Sequence, residues 1–334
     1  MTEALRFAVI GAGRMGAIHA ANLAGAIPGA ELAAVVDTDL AAARRAAGGG
    51  AEATDDLGRV LSDRRVGAVL VASPTPLHAA QIEAAARAGK AIFSEKPVAL
   101  ELADTRAAMA AVEAAGVPFQ IGFQRRYDPG FARARALVEA GALGRVEMFR
   151  SLACDPQPAS LDYLRTSGGI YKDMVIHDLD IARHLCGEIL EVTALGASLV
   201  DPRIGELGDV DTSVVTLRFA SGALGVIQNS RRAVYGYDLR TEVQGSAGKV
   251  VVENERATPV WTYGTEGIRG DYYHWFIDRF RDAYRLEVQG FTEAVRAGRR
   301  PTPGPVDAVE TLRLAEAATR SLRAGRPVKL AEVG

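Results

Sequence analysis

Short apolar runs separated by alanine-rich stretches open this chain. Phe7–Ile10, Leu32–Val36, Val69–Ala72, Ala91–Ser94 and Phe119–Gly122 read as strands. Between them, 14–27, 39–47, 76–88 and 101–115 read as helices. The strand runs carry no in/out alternation, as parallel strands covered on both faces should. Strand and helix taken in turn predict a doubly wound α/β sheet of Rossmann type. The character changes near residue 123. A helix is expected over 129–140, followed by longer runs with β-branched residues at 145–153, 191–199, 210–219, 223–231, 239–245 and 249–253. Links such as Ala220-Ser221-Gly222 and Gly245-Ser246-Ala247-Gly248 are short enough for antiparallel hairpins. Long helices are expected at about 273–297 and 306–323. The pattern therefore predicts two domains: an α/β domain over 1–123, and an α+β domain over 124–334 built on an open, mainly antiparallel sheet.

Composition narrows the field. With 334 residues, 48% hydrophobic, 24% charged and a net charge of −2, the chain has the profile of a globular protein. Nothing in it points to nucleic acid or an anionic membrane as partner. No long apolar segment or leader pattern is visible, so a cytoplasmic location is expected. Cys154 and Cys186 form no CxxC pair and are expected as buried thiols, a disulfide between them being the alternative.

Gly11-Ala12-Gly13-Arg14-Met15-Gly16 ends a strand and opens a helix. In such a turn the first glycine permits the tight bend, the second lets the backbone approach a pyrophosphate, and the third lets helix pack on strand. The helix N-terminus then faces the anion. Asp37 ends the second strand, 21 residues past Gly16, where an acid accepts hydrogen bonds from a ribose and repels a 2′-phosphate. NAD is therefore preferred to NADP; Arg44 and Arg45 lie too far along the next helix to reverse that. Ser73-Pro74-Thr75-Pro76-Leu77-His78 follows a strand at the edge where open parallel sheets bind ligands. Thr75 or His78 is expected to contact the cofactor, and Thr75 also reads as an N-cap with Pro76 at the first helical position.

Downstream, Gly168-Gly169 precedes Asp173 and His177, an acid and an imidazole four residues apart. On a helix they stack on one face. A carboxylate beside a histidine suits proton transfer near neutral pH, because the anion orients the ring and raises its basicity. Asp180 and His184 extend the stripe, while Met174, Ile176, Leu179, Ile181 and Leu185 fill the rest of the surface. A helix apolar nearly all round is buried, and one polar stripe on it should face a polar cleft; ion pairs satisfied within the core are the alternative. Asp180 is a candidate to orient His177, and His184 a structural partner. No metal is expected: the stripe is about 16 Å long at the helical rise, and no cysteine or second histidine cluster completes a ligand set. Tyr272-Tyr273-His274-Trp275-Phe276 is expected to begin the long helix as core or subunit interface, with Tyr284 a weaker pocket candidate. Arg299-Arg300 reads as a solvated loop.

Glu95-Lys96-Pro97 follows the fourth of the strand runs. Together with the glycine fingerprint and the Asp173/His177 helix, it resembles the glucose–fructose oxidoreductase/inositol dehydrogenase/MocA family over essentially the whole chain. Within the family the likeness is greatest to bacterial inositol 2-dehydrogenases. It is carried by Ile121–Pro129, Asp155-Pro156, Ser167–Arg183 and Asn229–Asp238. The resemblance implies that Lys96 lies between nicotinamide ribose and substrate and donates to a substrate hydroxyl. Asp173 would hold a neighbouring hydroxyl and help set the histidine, with His177 as general base. Arg126, with Gln124 or Arg125, would line a polyol pocket with Tyr235 and Asp155. Glu95 would brace Lys96 beside the cofactor. Two positions depart from the expected pattern, Cys154 before Asp-Pro and Gln124 before the arginine pair; both fall on the pocket wall and leave the polyol open. The implied activity is NAD-dependent oxidation of inositol to inosose. The alternatives are the same chemistry on an aldose, keto- or anhydrosugar, or an NAD- and sugar-sensing regulator. A homo-oligomer is expected from the open sheet, and the resemblance implies a tetramer.

Overall fold

The computed structural model describes residues 3–334. The chain forms two compact units that are discontinuous in sequence. One gathers Met1–Tyr127 with Asp282–Glu310, the other Asp128–Arg281 with Thr311–Gly334. No helix among the described residues is long and apolar enough to cross a membrane.

The first unit is built on strands β1 (Leu5–Ile10), β2 (Ala30–Val36), β3 (Glu52–Thr54), β4 (Ala68–Val71), β5 (Ala91–Glu95) and β6 (Phe119–Gly122). All are parallel, in the order β3-β2-β1-β4-β5-β6. Helices α1 (Arg14–Leu23), α2 (Leu40–Ala47), α3 (Leu57–Ser62), α4 (His78–Arg87) and α5 (Leu102–Ala115) make the crossovers. Strands β4, β5 and β6 are buried at every position, which is why their sequences do not alternate. The order reverses between β1 and β4, and an open α/β sheet binds its ligand beyond the strand ends at that point. Phe7, Val9, Val35, Leu70 and Phe93 form the core with Val288 and Phe291. The Phe291 ring lies 5.9 Å from both Phe7 and Phe93. Burying one such side chain contributes about 1.5–3 kcal/mol, so apolar packing ties the 282–310 segment to a sheet far away in sequence.

The second unit opens with α6 (Pro129–Glu139), whose Asp128 cap accepts the Gly130 and Phe131 N–H groups. Its sheet comprises β7 (Val146–Cys154), β8 (Ile189–Ala197), β9 (Thr212–Phe219), β10 (Leu224–Ser230), β11 (Asp238–Gly245), β12 (Gly248–Val252) and β15 (Val328–Lys329). The order is β12-β11-β7-β10-β9-β8-β15, antiparallel except for the β7/β10 pair. In β9, Ser213, Val215, Leu217 and Phe219 are buried, whereas Val214, Thr216 and Arg218 are exposed, so one face is covered and the other open. Helix α8 (Ile176–Cys186) is pinned to the covered face by Asp178. This buried carboxylate accepts from Ser151 at 2.7 Å and Asn229 at 2.9 Å.

Three local expectations need correction. A two-stranded sheet, β13 (Arg256–Gly264) with β14 (Gly267–Tyr272), stands where no strand was expected. Tyr272 ends β14, and the expected long helix is instead two, Phe276–Arg279 and Arg281–Arg296. The aromatic run signalled apolar burial but carried no periodicity to separate strand from helix. The segment bearing Asp173 is a π turn over Tyr171–Val175 rather than regular α-helix, and α8 follows it directly.

Candidate nucleotide and acid–base sites

In the first unit the glycine turn shows three separate demands. Gly11 has φ +98°, and a Cβ there would sit 2.6 Å from the Ser73 amide nitrogen, so only glycine fits between the ends of β1 and β4. A Cβ on Gly16 would strike the Gly11 carbonyl, which is the close packing of α1 on β1. A Cβ on Gly13 would meet nothing within 4 Å, so that backbone is open to a ligand. Helix α1 starts at Arg14 with no side-chain cap, whereas Asp39, Asp56 and Asp128 cap α2, α3 and α6. Its first-turn N–H groups are thus left for an anion. Asp37 accepts the Ala12 N–H at 2.6 Å and the Asp39 N–H at 2.8 Å, which fixes the acid beside the glycine turn. An open backbone, an uncapped helix and a fixed acid fit a dinucleotide.

The Ser73–His78 loop differs from its expected form. Thr75 is the first residue of a 3-10 turn and Pro74 stands at the cap, with no side-chain hydrogen bond, because Pro76 falls second rather than first. The His78 ring is buried, with Nε2 at 2.7 Å from the Ser73 carbonyl and Nδ1 at 2.9 Å from the Pro97 carbonyl. Burial pushes this imidazole below its ordinary value. The neutral ring carries one N–H, so it donates to one of these two carbonyls while lying between the loop after β4 and the turn after β5. Ser73 Oγ donates to Gln81 at 2.6 Å. In that second turn the Lys96–Pro97 bond is cis, and the Lys96 N–H donates to Glu95 Oε2 at 3.3 Å. The other Glu95 oxygen meets His19 Nε2 at 2.8 Å.

Glu287 completes a group that the sequence did not show. His19, Glu95 and Glu287 are buried, with one ligand atom of each within 4.8 Å of the others. Both Glu287 oxygens lack a hydrogen-bond partner. Burial first, and the Glu95 charge second, push its carboxyl well above the usual carboxylate range, so it carries a proton. Gln124 and Arg125 are buried in the 3-10 turn after β6, and Arg126 pairs with Asp307 at 2.9 Å. Tyr284 lies edge-on to His19 with centroids 6.0 Å apart, a core position.

In the second unit, Gly168 and Gly169 have φ +84° and +85°, which explains the glycine pair. From Ile170 to Ala182 every residue is buried except Asp173 and His177. Tyr163, on α7 (Leu161–Thr166), donates to Asp173 Oδ1 at 2.7 Å. Arg231, just past β10 and 1% exposed, donates to Asp173 Oδ2 at 3.3 Å and lies 4.0 Å from Asp209. Asp209 in turn accepts the Ile170 N–H at 3.0 Å. Tyr163, Asp209 and Arg231 were not foreseen. Arg231 did lie in the Asn229–Asp238 segment, but nothing local tied it to Asp173. Asp180 accepts from Thr311 at 3.5 Å, within the core. Tyr235 is exposed and donates to Asp238 at 2.9 Å. The Asp155 carbonyl accepts the Ala233 N–H at 2.7 Å, which closes the 230–233 segment against the end of β7. Both cysteines are free. Cys154 is buried, and burial first, then Asp238, pushes its thiol up to about 11, so it stays protonated. Cys186 is half-buried rather than buried.

Comparison with known proteins agrees with both halves. Residues 5–123 match the model of an oxidoreductase family with an NAD-binding Rossmann fold, GFO/IDH/MocA, and residues 131–251 match the C-terminal domain model of the same family. The chain is 45% identical to the myo-inositol 2-dehydrogenase of Thermotoga maritima over 98% of its own length and 99% of the relative's. It is 39% identical to the NAD-dependent scyllo-inositol 2-dehydrogenase of Bacillus subtilis over 99% and 97%. The solved scyllo-inositol dehydrogenase of Lactobacillus casei with bound NAD(H) and scyllo-inositol superposes with TM-score 0.93, at 28% identity, over 98% of this chain and all of that one.

Proposed function

This chain belongs to the GFO/IDH/MocA family of NAD-dependent oxidoreductases, and on that premise we propose that it oxidises a secondary hydroxyl of an inositol to the ketone. The observation that carries the acid–base assignment is that Asp173 and His177 alone are half-buried in a run otherwise buried from Ile170 to Ala182. A polar break in an otherwise buried helix brings these two side chains to a partly solvated opening, where a ligand can meet them. The substrate class rests on the relatives, which are inositol dehydrogenases over nearly their full length.

Gly11, Gly13, Arg14, Met15 and Gly16 hold the pyrophosphate and Asp37 the adenosine ribose. Ser73, Thr75, His78 and Glu95 shape the nicotinamide side of the same unit. NAD⁺ held there supplies the hydride acceptor. His177 takes the hydroxyl proton as the hydride leaves the same carbon, so a ketone, NADH and one proton result. Asp173 holds an adjacent hydroxyl and keeps the imidazole oriented. The Lys96 ammonium stabilises negative charge growing on the reacting oxygen. Gln124, Arg126, Asp155 and Tyr235 contribute to polyol recognition, Arg126 through a guanidinium whose orientation Asp307 sets. The free thiols suit a reducing, cytoplasmic setting, and the exposed apolar side chains of the second sheet, Leu195, Val214 and Leu224, suit a homo-oligomer such as a tetramer.

The test is NADH formation with purified protein, NAD⁺ and myo-, scyllo- and D-chiro-inositol beside common aldoses. Turnover confined to inositols is expected. Turnover on aldoses alone would keep the mechanism and move the substrate class, with Cys154 and Gln124 the first positions to exchange. NAD binding without turnover on any polyol or sugar would overturn the reading in favour of a sensor.

A further inference from the structure

We propose that Arg231 is a positioning residue of the acid–base site, holding Asp173 together with Tyr163 and Asp209 as a fixed anion in front of His177; the proposal rests on the functional reading above. Arg231 is 1% exposed. A buried guanidinium is destabilising unless anions pair with it. Here two do, and they differ in kind. Asp209, 4.0 Å away, spends its Oδ1 on the Ile170 N–H, and a Cβ on Gly169 would sit 3.1 Å from that same oxygen. It therefore grips the main chain where the π turn begins. Asp173, 3.3 Å away, is carried by that turn and is its one half-buried residue, the other four being buried. The Asp209 contact is long and leaves Arg231 Nη2 without a hydrogen bond, so the shorter, hydrogen-bonded contact is the one to Asp173. The second contact reaches out of the core to the carboxylate that the chemistry needs.

The two Asp173 oxygens are also engaged from different elements. Tyr163 reaches Oδ1 from α7, and Arg231 reaches Oδ2 from the end of β10. Two donors at different oxygens fix the plane of a carboxylate, which one donor cannot do. Arg231 is itself held, because its main-chain N–H donates to the Asp211 carbonyl at 2.8 Å. The Asp211 carboxylate accepts the N–H groups of Leu199, Val200 and Asp201 at 2.8–2.9 Å. A planar fork spans two carboxylates, which a lysine ammonium does poorly. The charged and titratable groups facing Asp173 include Arg231 and Tyr163, with Asp209 on the far side of the guanidinium and His177 four residues on. The neighbouring Lys172 is paired with Glu316 at 3.2 Å.

Removing a cation beside a carboxylate raises its pKa by about one to three units. The experiment compares the intact protein with Arg231→Met, Arg231→Lys and Tyr163→Phe. Its first readout is the Asp173 carboxyl titration, followed by carbon NMR without cofactor or substrate. Its second is the pH profile of kcat and of KM for polyol. Arg231→Met is expected to raise the Asp173 midpoint and to move the acid limb of kcat upward with it. It should lower kcat about tenfold or more while the KM for NAD⁺ holds. Arg231→Lys should restore the midpoint but only part of kcat, and Tyr163→Phe should move both in the same direction by less. Should Arg231→Met not fold, Arg231→Gln, the more polar neutral change, takes its place with the same expected midpoint. An Asp173 midpoint unmoved by every folded variant overturns the proposal. A moved midpoint in a protein that oxidises no polyol leaves the positioning intact and overturns the functional reading instead.

Discussion

Each unit contains a close pair of carboxylates, buried in the first and half-buried in the second, and the two pairs are neutralised in opposite ways. In the first, Glu95 and Glu287 meet His19. Burial and the Glu95 charge hold Glu287 protonated. In the second, Asp173 and Asp209 share the Arg231 guanidinium. A proton is the less demanding solution where a carboxyl only has to sit in the core, since desolvating an ion is avoided altogether. A guanidinium is needed where the carboxylate must remain an anion to act on an imidazole. On the proposed reading, the arrangement of charge thus separates an acid that only fills the core from an acid that works beside a base.

The largest effect expected from breaking this contrast is at His177. His177→Ala should lower kcat by about 10²–10⁴-fold, the usual contribution of a positioned general base. The dissociation constant for NAD⁺ should stay unchanged by calorimetry, because the glycine turn and Asp37 belong to the first unit. Retention of most turnover would remove His177 from its role. By contrast, Glu287→Gln, an amide in place of an acid that is already neutral, should leave kcat within about twofold.

A smaller effect concerns stability against pH. The folded Glu287 carboxyl lies above its ordinary value of 4.5. Below that pH both folded and unfolded chains hold the proton, and the full contribution is present. As pH rises through the unfolded value the unfolded chain loses its proton first, so stability falls, and it continues to fall until the folded Glu287 ionises. Thermal melts of Glu287→Gln should lack this decline and lie above the unaltered protein at neutral and higher pH. Coincident melting curves across that range would mean that Glu287 ionises at its ordinary pH.

The smallest expected effect is none. The ligand atoms of His19, Glu95 and Glu287 lie close enough together to recruit a hard cation. If a proton does the neutralising, a chelator should leave Tm unaltered at pH 7. A fall in Tm reversed by adding back one divalent ion would put a metal where the proton is assigned and make the two clusters alike.

How far each cluster could be read beforehand follows from its range along the chain. The glycine turn, Asp37 and the alternating strands and helices were legible because each is a local demand: a positive φ at Gly11, an uncapped helix at Arg14, strands buried on both faces. The Asp173/His177 pair was legible as a polar break in an apolar helix, although the π turn beneath it was not. The β13/β14 hairpin was missed because its aromatic-rich sequence fits more than one periodicity. The spans Glu95 to His19 and Arg231 to Asp173 cover 76 and 58 residues, and no repeat or spacing announces such a meeting.

Alone, then, the amino-acid sequence determined the nucleotide-binding architecture and the oxidoreductase family, and it offered Asp173 and His177 as the acid–base candidates. These depend on backbone conformation and on which faces of single elements are apolar, both set within a few residues. Only the tertiary structure decided which carboxylate is buried beside another and which meets a guanidinium, that the His78 ring is buried between the Ser73 and Pro97 carbonyls, and that residues 282–310 belong with the first sheet. Those outcomes depend on the distance between groups and on their removal from water, and both arise only when distant segments pack.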